Sequence, residues 1–332
     1  MAVQASGQID AMKIRACKET ITHTKNEIKK VVVGQDEAMD TLIRALLCNG
    51  HVLIEGVPGI AKTLLMISLA QASGENFKRI QFTPDMLPSD ITGIKTYDPK
   101  KGFTTIKGPV FTNFVLADEI NRAPPKVQSS LLEAMQERKV TIGDETFGLP
   151  DPFLVLATQN TIESLGVYDL PAAQLDRFLF KLVMGHPSME EEKLILKKNI
   201  TVHSLEYFNI KQVLRPKDIT EMQKLSQQVY VSAQVEEYIV RIVDATRHPE
   251  KYGVESGKYI DEGASPRASI GMYIAGKAQA LMSGNTFATP EHIRDIAPDV
   301  LRHRIILNYE GQAEEITQDQ IVKEILSKVP VA

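Results

Sequence analysis

The sequence has 332 residues and a formal net charge of −4, with 43% apolar and 24% charged residues. That is the balance of a soluble globular chain, long enough for two domains rather than one core, and nothing global in it draws a polyanion or an acidic membrane. Two cysteines, Cys17 and Cys48, exclude a disulfide framework and a zinc motif, and no apolar run approaches the roughly 20 residues that cross a bilayer.

The first twenty residues carry no continuous apolar signal core, so a reducing, cytoplasmic setting and no membrane insertion are expected. Residues from about 8 to 31 predict a polar, lysine-bearing helix. "GQDEAMDTLIRALLCNG" predicts an amphipathic helix with Asp36 and Glu37 in its first turn, Ala38, Leu42, Ala45 and Leu46 on one face, and Gly50 closing its end. Short apolar runs then alternate with helical ones. "HVLIEG" (51–56), "FKRIQF" (77–82), "FVLADE" (114–119), "FLVLATQN" (153–160) and "RFLFKLVM" (177–184) predict five strands. Helices are expected over 62–74, ending in glycine, and over 124–138, opening on prolines with Val127, Leu131 and Met135 on one face. That alternation is the pattern of an α/β fold with a parallel sheet covered on both faces.

Two stretches interrupt the alternation. Residues 83–112 are too long for a plain strand-to-helix connection. Residues 139–152 predict a hairpin around "GDE". Beyond about residue 187 the period becomes helical throughout. Ile219, Met222, Leu225 and Val229 share one face, and Val235, Tyr238, Ile242 and Val243 share another. Ser265-Pro266 and Thr289-Pro290 open two more helices, and Thr317 with Gln320 forms a capping box. The expected domains are therefore 1–187, carrying the sheet and both insertions, and 188–332, all helical.

"GVPGIAKT" (56–63) fits the phosphate-loop pattern G-x-x-x-x-G-K-[ST], except that Ala61 replaces the second glycine. In such a turn backbone N–H groups and the following helix start converge on phosphates. The expected nucleotide contacts are Gly56, Val57, Pro58, Gly59, Ile60, Ala61, Lys62, Thr63 and Leu64. Lys62 supplies a mobile charge and the Thr63 hydroxyl a ligand for Mg²⁺. Gly56 and Gly59 permit a close approach. Ala61 is the smallest departure from glycine and fits if position 61 already has helical angles. A bare Gly/Pro turn before a helix is the plainer alternative; a strand before it and Lys-Thr in place argue for the nucleotide.

"FVLADE" places Asp118 and Glu119 at the carboxyl end of an apolar strand, where ligands bind in open α/β sheets. Asp118 would hold Mg²⁺ through water and Glu119 would polarise the attacking water; a solvated acidic strand end is the plainer reading. Asn160 ends the next strand and could bond a terminal phosphate, though asparagine often only ends strands. Arg177 precedes the last strand. Arg267 lies in the first turn of a helix, where a cation opposes the dipole and an anionic partner would rationalise it; a surface ion pair is the alternative for both arginines. The histidines are scattered, with His51 and His186 expected to be structural or exposed. "RHR" (302–304) is expected to be a charged helix end.

"GVPGIAKT", "QFTPDMLPSDITG", "GPVFTNFVLADEINRAPPKVQSSLLEAMQE", "PFLVLATQN", "LPAAQLDRF" and "GASPRA", in this order, resemble the MoxR family of AAA+ ATPases, within the helix-2-insert clade. The resemblance covers about residues 30–310. It implies a five-stranded sheet in order 5-1-4-3-2 followed by a helical lid, with ATP and Mg²⁺ as cofactors. It matches Lys62 and Thr63 to the Walker A pair, Asp118 and Glu119 to Walker B, Asn160 to sensor 1, Arg177 to an arginine finger offered to a neighbouring subunit, and Arg267 to sensor 2. Val33, Gly34 and Gln35 lie where the family contacts adenine. The two insertions resemble the helix-2 insert and the hairpin before sensor 1.

Family membership further implies a homo-oligomeric ring, commonly hexameric, and a chaperone-like role that remodels or matures partner proteins, often ones with a von Willebrand factor A domain. A nucleic-acid motor, a magnesium-chelatase-type motor subunit, and a nucleotide-gated adaptor or small-molecule kinase are the competing readings. Lys95, Lys100 and Lys101 in "KTYDPKKG" offer charge to a nucleic acid, but are expected to form a solvated loop. Nucleic acid is not the expected partner.

Overall fold

The structure is a computed structural model and describes residues 10–56, 61–100, 102–159, 166–198 and 205–331. The chain forms two units. One comprises Thr22–Phe178 and Leu182–Thr220; the other comprises the chain up to Ile21, Leu179–Lys181, and the chain from Glu221 onward.

Helix α1 (Ala11–Ile28) precedes α2 (Asp36–Leu47), which buries Ala38, Leu42, Ala45 and Leu46 as the periodicity requires. Its end differs in detail from expectation. Asn49 takes the left-handed conformation at φ 51, and the Gly50 N–H reaches the Ala45 carbonyl at 2.9 Å. Asparagine tolerates that conformation, so the glycine is not needed for it.

The strands are β1 (Val52–Gly56), β2 (Phe77–Gln81), β3 (Gly93–Asp98), β4 (Gly102–Lys107), β5 (Phe114–Asp118), β6 (Lys139–Ile142), β7 (Glu145–Gly148), β8 (Leu154–Gln159), β9 (Phe180–Met184), β10 (Ile260–Glu262) and β11 (Ile306–Leu307). The central sheet runs β2-β5-β8-β1-β9, with β2/β5, β5/β8 and β8/β1 pairing parallel. Counting only these five strands, this is the expected order 5-1-4-3-2 read from the opposite edge. In β1, β5 and β8 the apolar residues are buried, and exposure begins only at the carboxyl ends. A strand covered on both faces needs a continuous apolar run rather than alternation.

Helix α3 (Lys62–Ser73) follows β1 and ends at Gly74 with φ 64. Helices α4 (Pro88–Thr92) and α5 (Pro125–Glu137) both open on proline, whose missing N–H is no loss in a first turn. The α5 face of Val127, Leu131 and Met135 joins the core that includes Leu53, Val115, Val155 and Phe178. His51 is buried there; its ring nitrogens meet the Met135 carbonyl at 3.2 Å and the Val155 N–H at 3.1 Å, and burial pushes its pKa down to about 3. It is structural, as expected. Cys17 and Cys48 are free thiols pushed up to about 12 by burial.

The stretch 83–112 contains α4 and the β3–β4 hairpin, and 139–152 contains the β6–β7 hairpin. Lys95 is not in a solvated loop: it lies in β3, ion-pairs with Asp144 at the other hairpin's turn, and sits 5.6 Å over the Phe103 ring. Lys101 lies outside the described residues.

In the unit from Glu221 onward, helices Ala233–Arg247, Pro266–Ser283, Pro290–Leu301 and Gln318–Lys328 bury Tyr238, Ile242, Met272, Ile296 and Ile325 among others. The short antiparallel pair β10–β11 adds strand structure to a region expected to be all helical. "RHR" does lie at a helix end, with Arg302 directly after Pro290–Leu301. His303 and Arg304 are buried, and Arg302 pairs with Asp299 and Asp319. Asp299 and the Val300 carbonyl are local partners, but Asp319 lies 17 residues from Arg302 and the Leu179 carbonyl 125 residues from Arg304, beyond what local spacing reveals. Among the described residues, no helix is long and apolar enough to cross a membrane.

Candidate functional site

Parallel pairing aligns the carboxyl ends of four strands along one edge. The register sets Gln81 beside Asp118, Ala117 beside Ala157, Ile54 beside Thr158, and Glu55 beside Gln159. Sequence-distant polar groups therefore converge where the apolar runs stop.

Two candidate acids sit at the centre of that edge. Asp118 Oδ1 accepts from the Thr158 hydroxyl at 2.7 Å, and its Oδ2 accepts from Arg79 Nε at 3.0 Å and from Arg79 Nη2. The Thr158 hydroxyl in turn accepts the Glu119 backbone N–H at 2.8 Å. One side chain thus pins both acids. Glu119 Oε2 accepts from Gln81 Nε2 at 2.9 Å and Arg122 Nη1 at 3.1 Å. Glu119 itself is left-handed, φ 56 and ψ 51, as the residue before the short 3₁₀ turn Ile120–Arg122. Such a conformation in a non-glycine residue costs on the order of 1–3 kcal/mol and persists where neighbours over-determine it. Here Thr158 holds its N–H, and the buried Gln128 amide donates to the carbonyls of Ile120, Ala123 and Tyr168, bracing the turn that follows.

Across the edge lies the start of α3. Position 61 does not have helical angles, contrary to expectation. Ala61 is left-handed, φ 63 and ψ 18, and provides no side-chain cap. An alanine there bears the strain that glycine would avoid. Lys62 and Thr63 open the helix, followed by a half-buried Leu64. The Lys62 ammonium donates to the Gly56 carbonyl at 2.7 Å. Burial pushes its pKa down, and the charges of Asp118, Glu119 and Glu55 oppose that shift. Val57, Pro58, Gly59 and Ile60 lie outside the described residues, as does Asn160.

Val33, Gly34 and Gln35 lead into α2. Gly34 has φ 70, a conformation glycine adopts without strain, and a Cβ there would meet the Glu191 carboxyl, the movable end of that side chain. Arg177 is exposed, with no hydrogen bond or ion pair to its guanidinium among the described residues. Arg267 belongs to the other unit. It is exposed in the first turn of Pro266–Ser283, where its N–H is capped by Ser265 Oγ at 3.2 Å.

Chemically, this edge combines an uncapped helix start, a lysine, a hydroxyl and two carboxylates. The first two suit an anion such as phosphate. Hydroxyl and carboxylate oxygens suit a hard divalent cation that takes further ligands from phosphate and water. The residues present therefore fit a magnesium–nucleotide complex. Sequence reading missed Arg79, Gln81, Arg122 and Thr158. The available signal was the alternation in "FKRIQF", which puts Arg79 and Gln81 on one face of β2.

Residues 51–180 match the family described as "ATPase family associated with various cellular activities (AAA)", and residues 256–325 match the AAA lid domain. The chain is 47% identical over 306 residues to the Chaperone MoxR1 of Mycobacterium tuberculosis, covering 91% of this chain and 80% of that one. It is 46% identical to the uncharacterized protein YeaC of Bacillus subtilis, covering 92% and 93%, and 29% identical to the Protein MoxR of Methylorubrum extorquens, covering 94% and 95%. A crystal structure of a candidate ATPase from Cytophaga hutchinsonii superposes with a TM-score of 0.90 at 44% identity, covering 97% of each chain.

Proposed function

Because the chain belongs to the MoxR family of AAA+ ATPases, we propose that it binds ATP with Mg²⁺ and hydrolyses it, and that it uses the cycle to remodel or mature partner proteins. The observation that carries this reading is the uncapped start of α3, with Lys62 under the charge of Asp118 and Glu119. Lys62 and the α3 N–H groups bind and orient the phosphates. Thr63 and, through water, Asp118 hold Mg²⁺, which when bound supplies charge neutralisation on the phosphate oxygens. Glu119 orients and polarises the attacking water, and Asn160 senses the terminal phosphate. Val33, Gly34 and Gln35 meet the adenine.

Arg177, exposed and without a partner among the described residues, is the cation offered to a neighbouring subunit's nucleotide, and Arg267 adds a second. The assembly proposed is a homohexameric ring in the cytoplasm, with the chain divided into a core, 1–187, and a lid, 188–332. One relative is named a chaperone, which supports a protein partner; that the partner carries a von Willebrand factor A domain is part of the proposal. The nucleic-acid reading is weakened because Lys95 is committed to Asp144.

ATP hydrolysis per subunit, measured with Mg²⁺ across a wide range of protein concentration alongside sizing, tests the proposal. A rate that climbs with concentration as the ring forms is the expected result. Bound ATP with no turnover in the assembled ring would overturn the hydrolytic role in favour of a nucleotide-gated adaptor.

A further inference from the structure

We propose that Arg79 is an internal counter-ion standing in for a divalent cation at Asp118, and that it must let go of this carboxylate before a nucleotide's metal can use it. The inference rests on the reading that Asp118 serves that metal. Both oxygens of Asp118 are engaged in the structure. Oδ1 takes the Thr158 hydroxyl at 2.7 Å, and Oδ2 takes two donors of one guanidinium, Arg79 Nε at 3.0 Å and Nη2.

Thr158 carries no charge and sits on the oxygen away from Arg79, so it can remain as Asp118 turns to a metal. Arg79 cannot remain on Oδ2 in the same way. A full positive charge a hydrogen bond away from the oxygen opposes a second cation there, and the effect is strongest where solvent is scarce. Asp118 is such a place, with a side chain only 16% exposed.

Arg79 is built to leave. Its side chain is 49% exposed, and it comes from β2, the edge strand of the sheet, so it can withdraw into solvent without opening the core. Among the described residues its remaining bond is to Gln81 Oε1 at 2.7 Å, two residues along the same strand face. The arginine therefore keeps the acid neutralised when the site holds no nucleotide, and it raises the metal concentration needed to fill the site.

The test is binding of a fluorescent ADP analogue to the full chain, in EDTA and across a magnesium titration, with no hydrolysis involved. The proteins are the wild type, Arg79→Gln, Arg79→Met, Arg79→Lys and Asp118→Asn. Removing the charge should lower the magnesium concentration for half-maximal effect by about two- to fivefold, the scale of one partly exposed ion pair. Affinity in EDTA should stay within about twofold, and Arg79→Lys should move back toward wild type. An unchanged or raised magnesium requirement in both Arg79→Gln and Arg79→Met, with binding in EDTA retained, overturns the proposal and leaves Arg79 a permanent structural pair. If Asp118→Asn keeps the wild-type requirement, the metal reading of Asp118 falls and the proposal falls with it. If the wild type binds no nucleotide at all, the proposed function itself has failed.

Discussion

Helix α3 and the helices after Glu221 begin in opposite ways. Ala233–Arg247, Pro266–Ser283, Pro290–Leu301 and Gln318–Lys328 each start on a serine or threonine, Ser232, Ser265, Thr289 or Thr317, whose hydroxyl accepts a first-turn N–H. At Thr289 the imidazole of His292 also returns a bond, accepting the Thr289 N–H at 3.0 Å. Helix α3 starts on a left-handed alanine whose side chain offers no acceptor to the first-turn N–H groups. The difference separates two uses of the same backbone dipoles. Where a hydroxyl closes the helix start, the N–H groups stabilise the fold. At α3 no side chain of the N-cap residue takes them, which suits an anion, and two left-handed non-glycine residues, Ala61 and Glu119, belong to the same site.

The contrast can be tested from its strongest consequence downward. Arg177→Ala should lower ATP turnover on the order of 10³-fold, as loss of a transition-state arginine does. Mixing in Glu119→Gln subunits, which still carry Arg177, should restore part of it; no recovery in mixed assemblies would argue against donation between subunits. Glu119→Gln alone should keep ATP binding and lose about 10²–10⁴-fold in turnover, the usual contribution of a positioned general base. Normal turnover would remove Glu119 from its role.

Thr158→Val keeps the side-chain shape but leaves the Glu119 N–H and Asp118 Oδ1 without their shared hydroxyl. It should cost about 1–3 kcal/mol in urea unfolding, the penalty for stranding such groups, and lower turnover as well. Two smaller changes address the helix starts directly. Thr317→Ala should cost about 1 kcal/mol of stability with nucleotide binding intact. Ala61→Gly should do the reverse and raise stability by about 0.5–1 kcal/mol, because glycine accepts φ 63 without strain. A loss of stability on Ala61→Gly would mean that position 61 is not left-handed in solution.

Much of this was legible one residue at a time. The apolar runs of β1, β5 and β8 became strands because a buried parallel strand needs no alternation, and "GDE" became a hairpin turn at Gly143-Asp144 because glycine supplies the φ of 64. The Thr317–Gln320 capping box is likewise a short-range pattern. The polar network at the sheet edge was not legible. Arg79 and Asp118 are 39 residues apart, and Thr158 and Asp118 are 40 apart, so no local spacing links them. Nor does spacing predict that Ala61 and Glu119 are left-handed, since neither residue type favours that conformation.

The sequence alone determined the α/β class, the helix periods and caps, and the group of residues, Lys62, Thr63, Asp118 and Glu119, whose chemistry suits a magnesium nucleotide. These follow from patterns within a few residues, where apolar spacing and side-chain reach decide the outcome. The tertiary structure decided the rest. Strand register brought Gln81, Asp118 and Thr158 side by side and set Arg79 on Asp118, and packing buried Arg304 at the charged helix end. Those outcomes depend on which strand pairs with which, and pairing is settled by packing a common core rather than by any one segment.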